Sequence, residues 1–173
     1  MKKIKRIMLL MLCFFLINNS FAQTGYIKIG DIKGESGSRD HKDWIDVFSF
    51  GMGIDRGETA ATGRQISGRV NFQDLVITKK LDKASPVLMM KTVTGEMLPE
   101  IQLEIAGADG RSYYKVTMKE VLITGISTTS DCDPKCETIE EVSFSYGKIS
   151  WEYTDPKGSK VVSGYDVKLN KKL

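Results

Sequence analysis

The stretch Gly68-Arg-Val-Asn-Phe-Gln-Asp-Leu-Val-Ile-Thr-Lys-Lys-Leu-Asp-Lys-Ala-Ser-Pro-Val-Leu-Met-Met90 packs a strand, a boundary and a helix into one unit. Val70 and Phe72 alternate with Asn71 and Gln73, the two-residue period of a strand with one buried face. Leu75, Val76 and Ile77 follow as a continuous apolar run that Lys79-Lys80 closes. Ser85 is expected as an N-cap with Pro86 at the first helical position, where a missing N–H costs nothing. Val87, Leu88, Met90 and Lys91 extend the helix, and Gly95 is suited to end it in a left-handed conformation.

Outward from this unit the chain reads as antiparallel β. Tyr26, Ile27 and Ile29 begin a strand that ends in the turn-rich run at residues 34–40. Ile45 and Val47, with Phe50 and Met52 after them, supply a second. Ile101, Leu103 and Ile105 alternate with Gln102 and Glu104, and Asp109-Gly110 offers the positive φ of a tight hairpin. Tyr114, Val116 and Met118 return, and Val121-Leu122-Ile123 continues them. Val142, Phe144 and Tyr146 lie at even positions, whereas Ile149, Trp151 and Tyr153 lie at odd ones. One strand cannot keep both sets on one face. A β-bulge or bend is therefore expected near Gly147-Lys148. Asp155-Pro-Lys-Gly158 reads as a type I turn, and Tyr165, Val167 and Leu169 form the last strand. With one short helix at about residues 85–95, the class is all-β: an antiparallel barrel or sandwich.

The amino terminus is a different kind of segment. Lys2, Lys3, Lys5 and Arg6 precede an eleven-residue apolar run, Ile7 to Ile17, and Ser20-Phe21-Ala22 gives a small-x-small cleavage pattern before Gln23. A bilayer span needs about 20 apolar residues, so the run is read as a cleaved signal and not as a stable membrane anchor. The chain is then exported, with residues 23–173 as one domain. The whole chain carries 25 basic and 22 acidic residues. The leader takes four of the basic ones, so the exported part is close to neutral and has no footprint for nucleic acid.

Catalytic, metal and cofactor signatures are weak. His41, the one histidine, sits in a polar run without a nucleophile motif, and a structural or solvated role is favoured. Gly51-x-Gly53 lacks the spacing of a phosphate loop. Acids such as Glu140-Glu141 are expected to be solvated. Cys132-Asp-Pro-Lys-Cys136 is the sharp feature. A zinc site wants four ligands and a redox motif wants Cys-x-x-Cys at a helix start. An oxidising compartment favours a local structural disulfide, with Pro134 restricting the loop beforehand.

As a string, the chain resembles the Hcp family, the tube proteins of bacterial type VI secretion. The likeness runs in order from residue 26: Tyr26-Ile-Lys-Ile-Gly-Asp-Ile, then His41-Lys-Asp-Trp-Ile-Asp-Val47 and the opening stretch. Thr117-Met-Lys-Glu-Val-Leu-Ile123, Glu141-Val-Ser-Phe-Ser-Tyr146 and Gly164-Tyr-Asp-Val-Lys-Leu169 follow. It implies a non-enzymatic barrel that forms hexameric rings, stacks them into a tube and carries effectors. The implied partners are other copies of the chain, secreted effectors, and tube-tip or sheath proteins. It further implies that Phe50, Gly51 and Met52 face the lumen. The turn-rich segment holding Asp55, Arg56, Gly57, Glu58, Thr62, Gly63 and Arg64 would contact the next ring. The export signal and the cysteine pair depart from the family pattern. The alternative is an exported binding or surface-assembly protein acting outside a type VI apparatus; a hydrolase using His41 is the third reading.

Cleavage between Ala22 and Gln23 is expected. The intact mass of protein recovered outside the cytoplasm should match a chain starting at Gln23. Full-length protein retained in the cytosol would contradict export.

Overall fold

The computed structural model describes residues 24–56, 70–133 and 135–173. Its strands are β1 (Thr24–Ile29), β2 (Ile45–Val47), β3 (Ser49–Gly51), β4 (Ile54–Arg56), β5 (Val70–Phe72) and β6 (Leu75–Lys80). Helix α1 (Ser85–Thr94) follows, then β7 (Leu98–Ala106), β8 (Ser112–Asp131), β9 (Glu137–Thr154), β10 (Lys160–Asp166) and β11 (Lys171–Lys172). Every pairing is antiparallel.

The chain closes a barrel because β2 and β3 are two halves of one strand turned at Phe48. β2 pairs with β1, β3 pairs with β6, and the Phe48 N–H donates to the Thr78 carbonyl at 2.8 Å. β6 then pairs with β9, β9 with β8, β8 with β7 and β7 with β1, which completes the circuit. Inside lie Ile27, Ile29, Leu75, Ile77, Leu103, Val116, Met118, Val142, Phe144 and Ile149, with Leu88 of α1 covering one side. Alternation in β1, β7 and β6 delivers these residues to one face, as the period-2 pattern requires.

β8 and β9 each change face, and they do so together. In β8 the buried set passes from Val116 and Met118 to Val121 and Ile123; in β9 it passes from Val142 and Phe144 to Ile149. Met118↔Ile149, Lys119↔Lys148 and Val121↔Tyr146 keep one register across the break. The expected bulge at Gly147-Lys148 is thus a bend shared by two strands, with Glu120 at φ 54° opposite Gly147. The register shift in this hairpin lies further along, between Ile123 and Gly125. A side chain at 147 would crowd Glu120, since an added Cβ would come within 2.8 Å of its carboxylate. Lys148 and Lys168 both donate to Glu120, at 2.7 and 2.5 Å, and hold the bend from outside.

Three expectations about polar residues are corrected. Lys79 does not close the strand at the surface; it is fully buried, as is Glu140, which was expected to be solvated. The strand alternation that buries Leu75 and Ile77 turns residue 79 inward as well, and Glu140 stands opposite it across the β6–β9 pair. Lys79 Nζ lies 2.7 Å from Glu140 and 2.8 Å from Asp82, and it donates to Ser85 Oγ at 3.0 Å. This network explains the third correction. Ser85 is the first helical residue and not the N-cap, because its hydroxyl is turned into the barrel to donate to Glu140 at 2.5 Å. Ala84 precedes the helix, and the Asp82 carboxylate accepts the Ala84 N–H at 3.0 Å in place of a serine cap. The other end is as expected: Gly95 has φ 64° and its N–H bonds the Lys91 carbonyl. Pro99 falls inside β7, at an unpaired position between Leu98 and Glu100.

Breaking the buried pair from one side leaves an uncompensated charge, which costs about 3–5 kcal/mol. Lys79→Met should therefore lose roughly that much stability in urea titration. Adding Glu140→Leu to it should recover a large part. Equal loss in the single and double variants would contradict the pairing.

Glu120 is half-buried, and hydrogen bonds from Lys148 and Lys168 with their positive charges hold its carboxyl down at about 2. A depressed carboxyl stabilises the fold above the ordinary value and loses that contribution as pH falls through the folded one. An NMR titration should place its midpoint at about 2. Lys148→Ala should move it upward; no movement would contradict the contact.

Candidate assembly surface

The bend divides the barrel wall into two sheets that share β8 and β9. Beyond it, β3, β6, the first half of β9 and the second half of β8 form a four-stranded sheet. Registers align its cross-strand rows. Phe50, Ile77, Val142 and Ile126 form a row on the core side, and Ser49, Thr78, Glu141 and Ser127 form one on the outer side. A second outer row is Gly51, Val76, Ser143 and Gly125. The outer face is small, hydroxylated and nearly free of apolar bulk, with Ser49 donating to Thr78 at 2.9 Å.

Both borders of this sheet are open. β7 pairs with β8 only as far as Val121, so β8 from Ile123 to Asp131 has β9 as its one strand partner among the described residues. β3 likewise pairs only with β6 among the described residues. Unpaired edges are templates for another strand.

The expected lumen residues divide accordingly. Gly51 lies on the outer face. Phe50 stands across from buried Ile77, and Met52 packs against the core. The apolar run Leu75-Val-Ile77 hides the alternation of β6, which continued through Thr78 and Lys79 turns Thr78 outward; Ser49, Ser127, Glu141 and Ser143 join it on the outer face only through pairing between distant strands.

The expected ring-contact segment begins as a ribbon, β4 paired with β5. Asp55 and Arg56 lie in β4, and the Asp55 carboxylate accepts from Asn71 at 3.2 Å and from Gln73 at 3.3 Å. Phe72 roots the ribbon by stacking on Tyr165, centroids 5.4 Å apart. Gly57, Glu58, Thr62, Gly63 and Arg64 lie outside the described residues, as do Ala22, Gln23 and Pro134. Cys132 and Cys136 lie side by side at the tip of the β8–β9 hairpin, close enough to pair, where the last strand pair is Asp131↔Glu137.

His41 is buried on the outer surface of the other sheet. Its ring stacks on Tyr26 at 4.0 Å and meets the edge of Trp44 at 4.9 Å. Nε2 faces Glu104 at 3.0 Å. Burial would raise the Glu104 carboxyl, but hydrogen bonds from Lys115, Ser112 and His41, with the Lys115 charge, outweigh it and hold the group low. Ser112 Oγ donates to Glu104 at 2.5 Å and lies 3.4 Å from the same His41 Nε2. A hydrolytic triad needs the acid on one ring nitrogen and the nucleophile on the other. Here Glu104 and Ser112 both face Nε2, so Ser112 is not activated; Ser38 Oγ lies 3.4 Å from Nδ1, and the cluster as a whole ties the loop before β2 to the barrel.

The described residues thus form a closed antiparallel barrel with one helix, a β4–β5 ribbon and a polar sheet with two open edges. The family model described as "Type VI secretion system effector, Hcp" matches residues 26–153. Protein hcp1 of Pseudomonas aeruginosa is 35% identical over 147 residues, covering 83% of this chain and 90% of that protein. The solved structure of Hcp1 from Salmonella typhimurium superposes with a TM-score of 0.76 at 28% identity, over 88% of this chain and 99% of that one. Another, described as a type six secretion system protein, gives 0.82 at 28% identity, over 88% and 100%. The chain belongs to the Hcp family of type VI secretion proteins, and is an Hcp-like tube protein in fold and sequence.

Proposed function

We propose that the processed chain, residues 23–173, assembles head to tail into a hexameric ring whose lumen is walled by the β3-β6-β9-β8 sheet, and that rings stack into a conduit for secreted effectors. The observation that carries this reading is the pair of open borders on a sheet with an even number of antiparallel strands. With four strands per protomer, the β8 edge of one copy meets the β3 edge of the next in antiparallel sense. Repetition therefore extends one ladder around a closed ring and leaves no edge exposed. The number six comes from the family resemblance. The outer face of Ser49, Thr78, Ser127 and Ser143 then lines the lumen, a surface to which folded cargo does not adhere through apolar contact.

The β4–β5 ribbon, with residues 57–64 beyond it, contacts the adjoining ring. Val87, Met90, Val93 and Met97, exposed on and just after α1, offer apolar surface to a sheath or tube-tip protein. Export through a cleaved signal is compatible with the cysteine pair, and the reading makes Cys132–Cys136 a bond of the oxidised protein. An exported assembly outside a type VI apparatus uses the same ring; neighbouring sheath, baseplate and spike genes separate the two settings.

Cysteines introduced as Ser49→Cys together with Ser127→Cys or Thr129→Cys, in a Cys132→Ser/Cys136→Ser background, should cross-link neighbours on oxidation. The expected outcome is a ladder of covalent species ending at six copies. Monomer alone in both combinations would contradict edge pairing.

Closing the five-residue loop between Cys132 and Cys136 should stabilise by about 2 kcal/mol. The Cys132→Ser/Cys136→Ser chain should melt at lower temperature and still form rings. Two free thiols in exported, oxidised protein would contradict the bond.

A further inference from the structure

At the end of the barrel away from α1, the β7–β8 and β9–β10 turns enclose a cavity of about 500 Å³ whose lining includes Tyr113, Tyr153, Arg111, Asp109, Asp155 and Pro156. That size falls within the range of small-ligand sites. We propose that it is a binding site for a short neutral oligosaccharide.

Both walls are fixed before any ligand arrives. The Asp109 carboxylate accepts the Arg111 N–H at 3.0 Å, and the Gly110 N–H closes the turn onto the Gly107 carbonyl at 2.9 Å. In the facing turn one Asp155 oxygen accepts the N–H groups of Lys157 and Ser159, both at 2.8 Å. Each carboxylate thereby spends one oxygen on its own turn and keeps the other as an acceptor. Arg111 is exposed and forms no ion pair among the described residues, so its guanidinium is an available donor. Tyr153 is 47% exposed although it lies in a paired strand, and together with Tyr113 it brings aromatic surface to the lining.

Aromatic surface with both donors and acceptors on the rim is the chemistry a sugar requires. The C–H face of the ring packs on tyrosine while the hydroxyls donate and accept. A strongly charged ligand fits less well, because the one cation faces two carboxylates across a small space. None of these side chains lies on the edges assigned to ring closure, so the site stands or falls separately from the ring.

Calorimetric titration of the processed, assembled protein with cellotriose, maltotriose, mannotriose and chitotriose tests the site. At least one should bind with a Kd at or below about 10 mM. Tyr153→Ala should weaken it by about tenfold, whereas Tyr153→Phe should keep most of the affinity. Arg111→Ala should weaken it as well. No binding by any of the four sugars, or binding that Tyr153→Ala leaves unchanged, would overturn the proposal.

Discussion

A 20-residue strand paired to an 18-residue one is too long to stay on one side of a small barrel. At about 3.3 Å per residue such a hairpin runs past any core a domain of this size can build. β8 and β9 meet that constraint by turning over together at Glu120 and Gly147. Because both strands switch face at one level, their register survives and no hydrogen-bonded pair has to slip. One hairpin thus serves two sheets. Before the bend β8 joins β7 and β9 joins β10; beyond it, β9 joins β6 and β8 joins no further strand among the described residues. The open edge proposed for assembly follows directly from this geometry.

The buried Lys79 answers a second problem, which is how to fasten a helix to the rim of a barrel at a fixed angle. Apolar packing through Leu88 covers the core but does not specify orientation. A lysine reaching Glu140, Asp82 and Ser85 does, since hydrogen bonds are directional and none of these groups can be left unpaired in a dry interior. The same atoms link β6, β9 and the first residue of α1. Serine is suited to this point because its hydroxyl donates to the carboxylate and accepts from the ammonium.

Much of the fold was legible in the sequence because strand alternation and turn chemistry are local. The Asp109-Gly110 and Asp155-Pro156-Lys157-Gly158 turns, the face change around Gly147 and the Gly95 helix end all follow from neighbouring residues. What escaped was long-range. Lys79 and Glu140 look solvated when each is considered with its neighbours, and only pairing between segments 61 residues apart shows that each neutralises the other. The two-sided character of the bend was hidden for the same reason, since β9 alone cannot reveal that β8 turns with it. Phe50 is expected at the lumen by resemblance; the register with β6 puts it across from Ile77, and its ring stays partly exposed. The polar outer rows were obscured by an apolar run that the pleat divides between two faces, and by their dependence on pairing between distant strands.

Edge geometry, an even strand count and a hydroxylated outer face are what support the ring closure proposed for this Hcp-family chain. Each protomer presents two different edges, so contacts are heterologous and only the rotation between copies decides whether they close. The most direct test is to image the processed protein by electron microscopy while counting its subunits by native mass spectrometry. The account predicts closed rings of six copies with a central opening lined by the β3-β6-β9-β8 sheet. A monomer throughout the micromolar range, or open filaments in which the β8 and β3 edges remain unpaired, would contradict it.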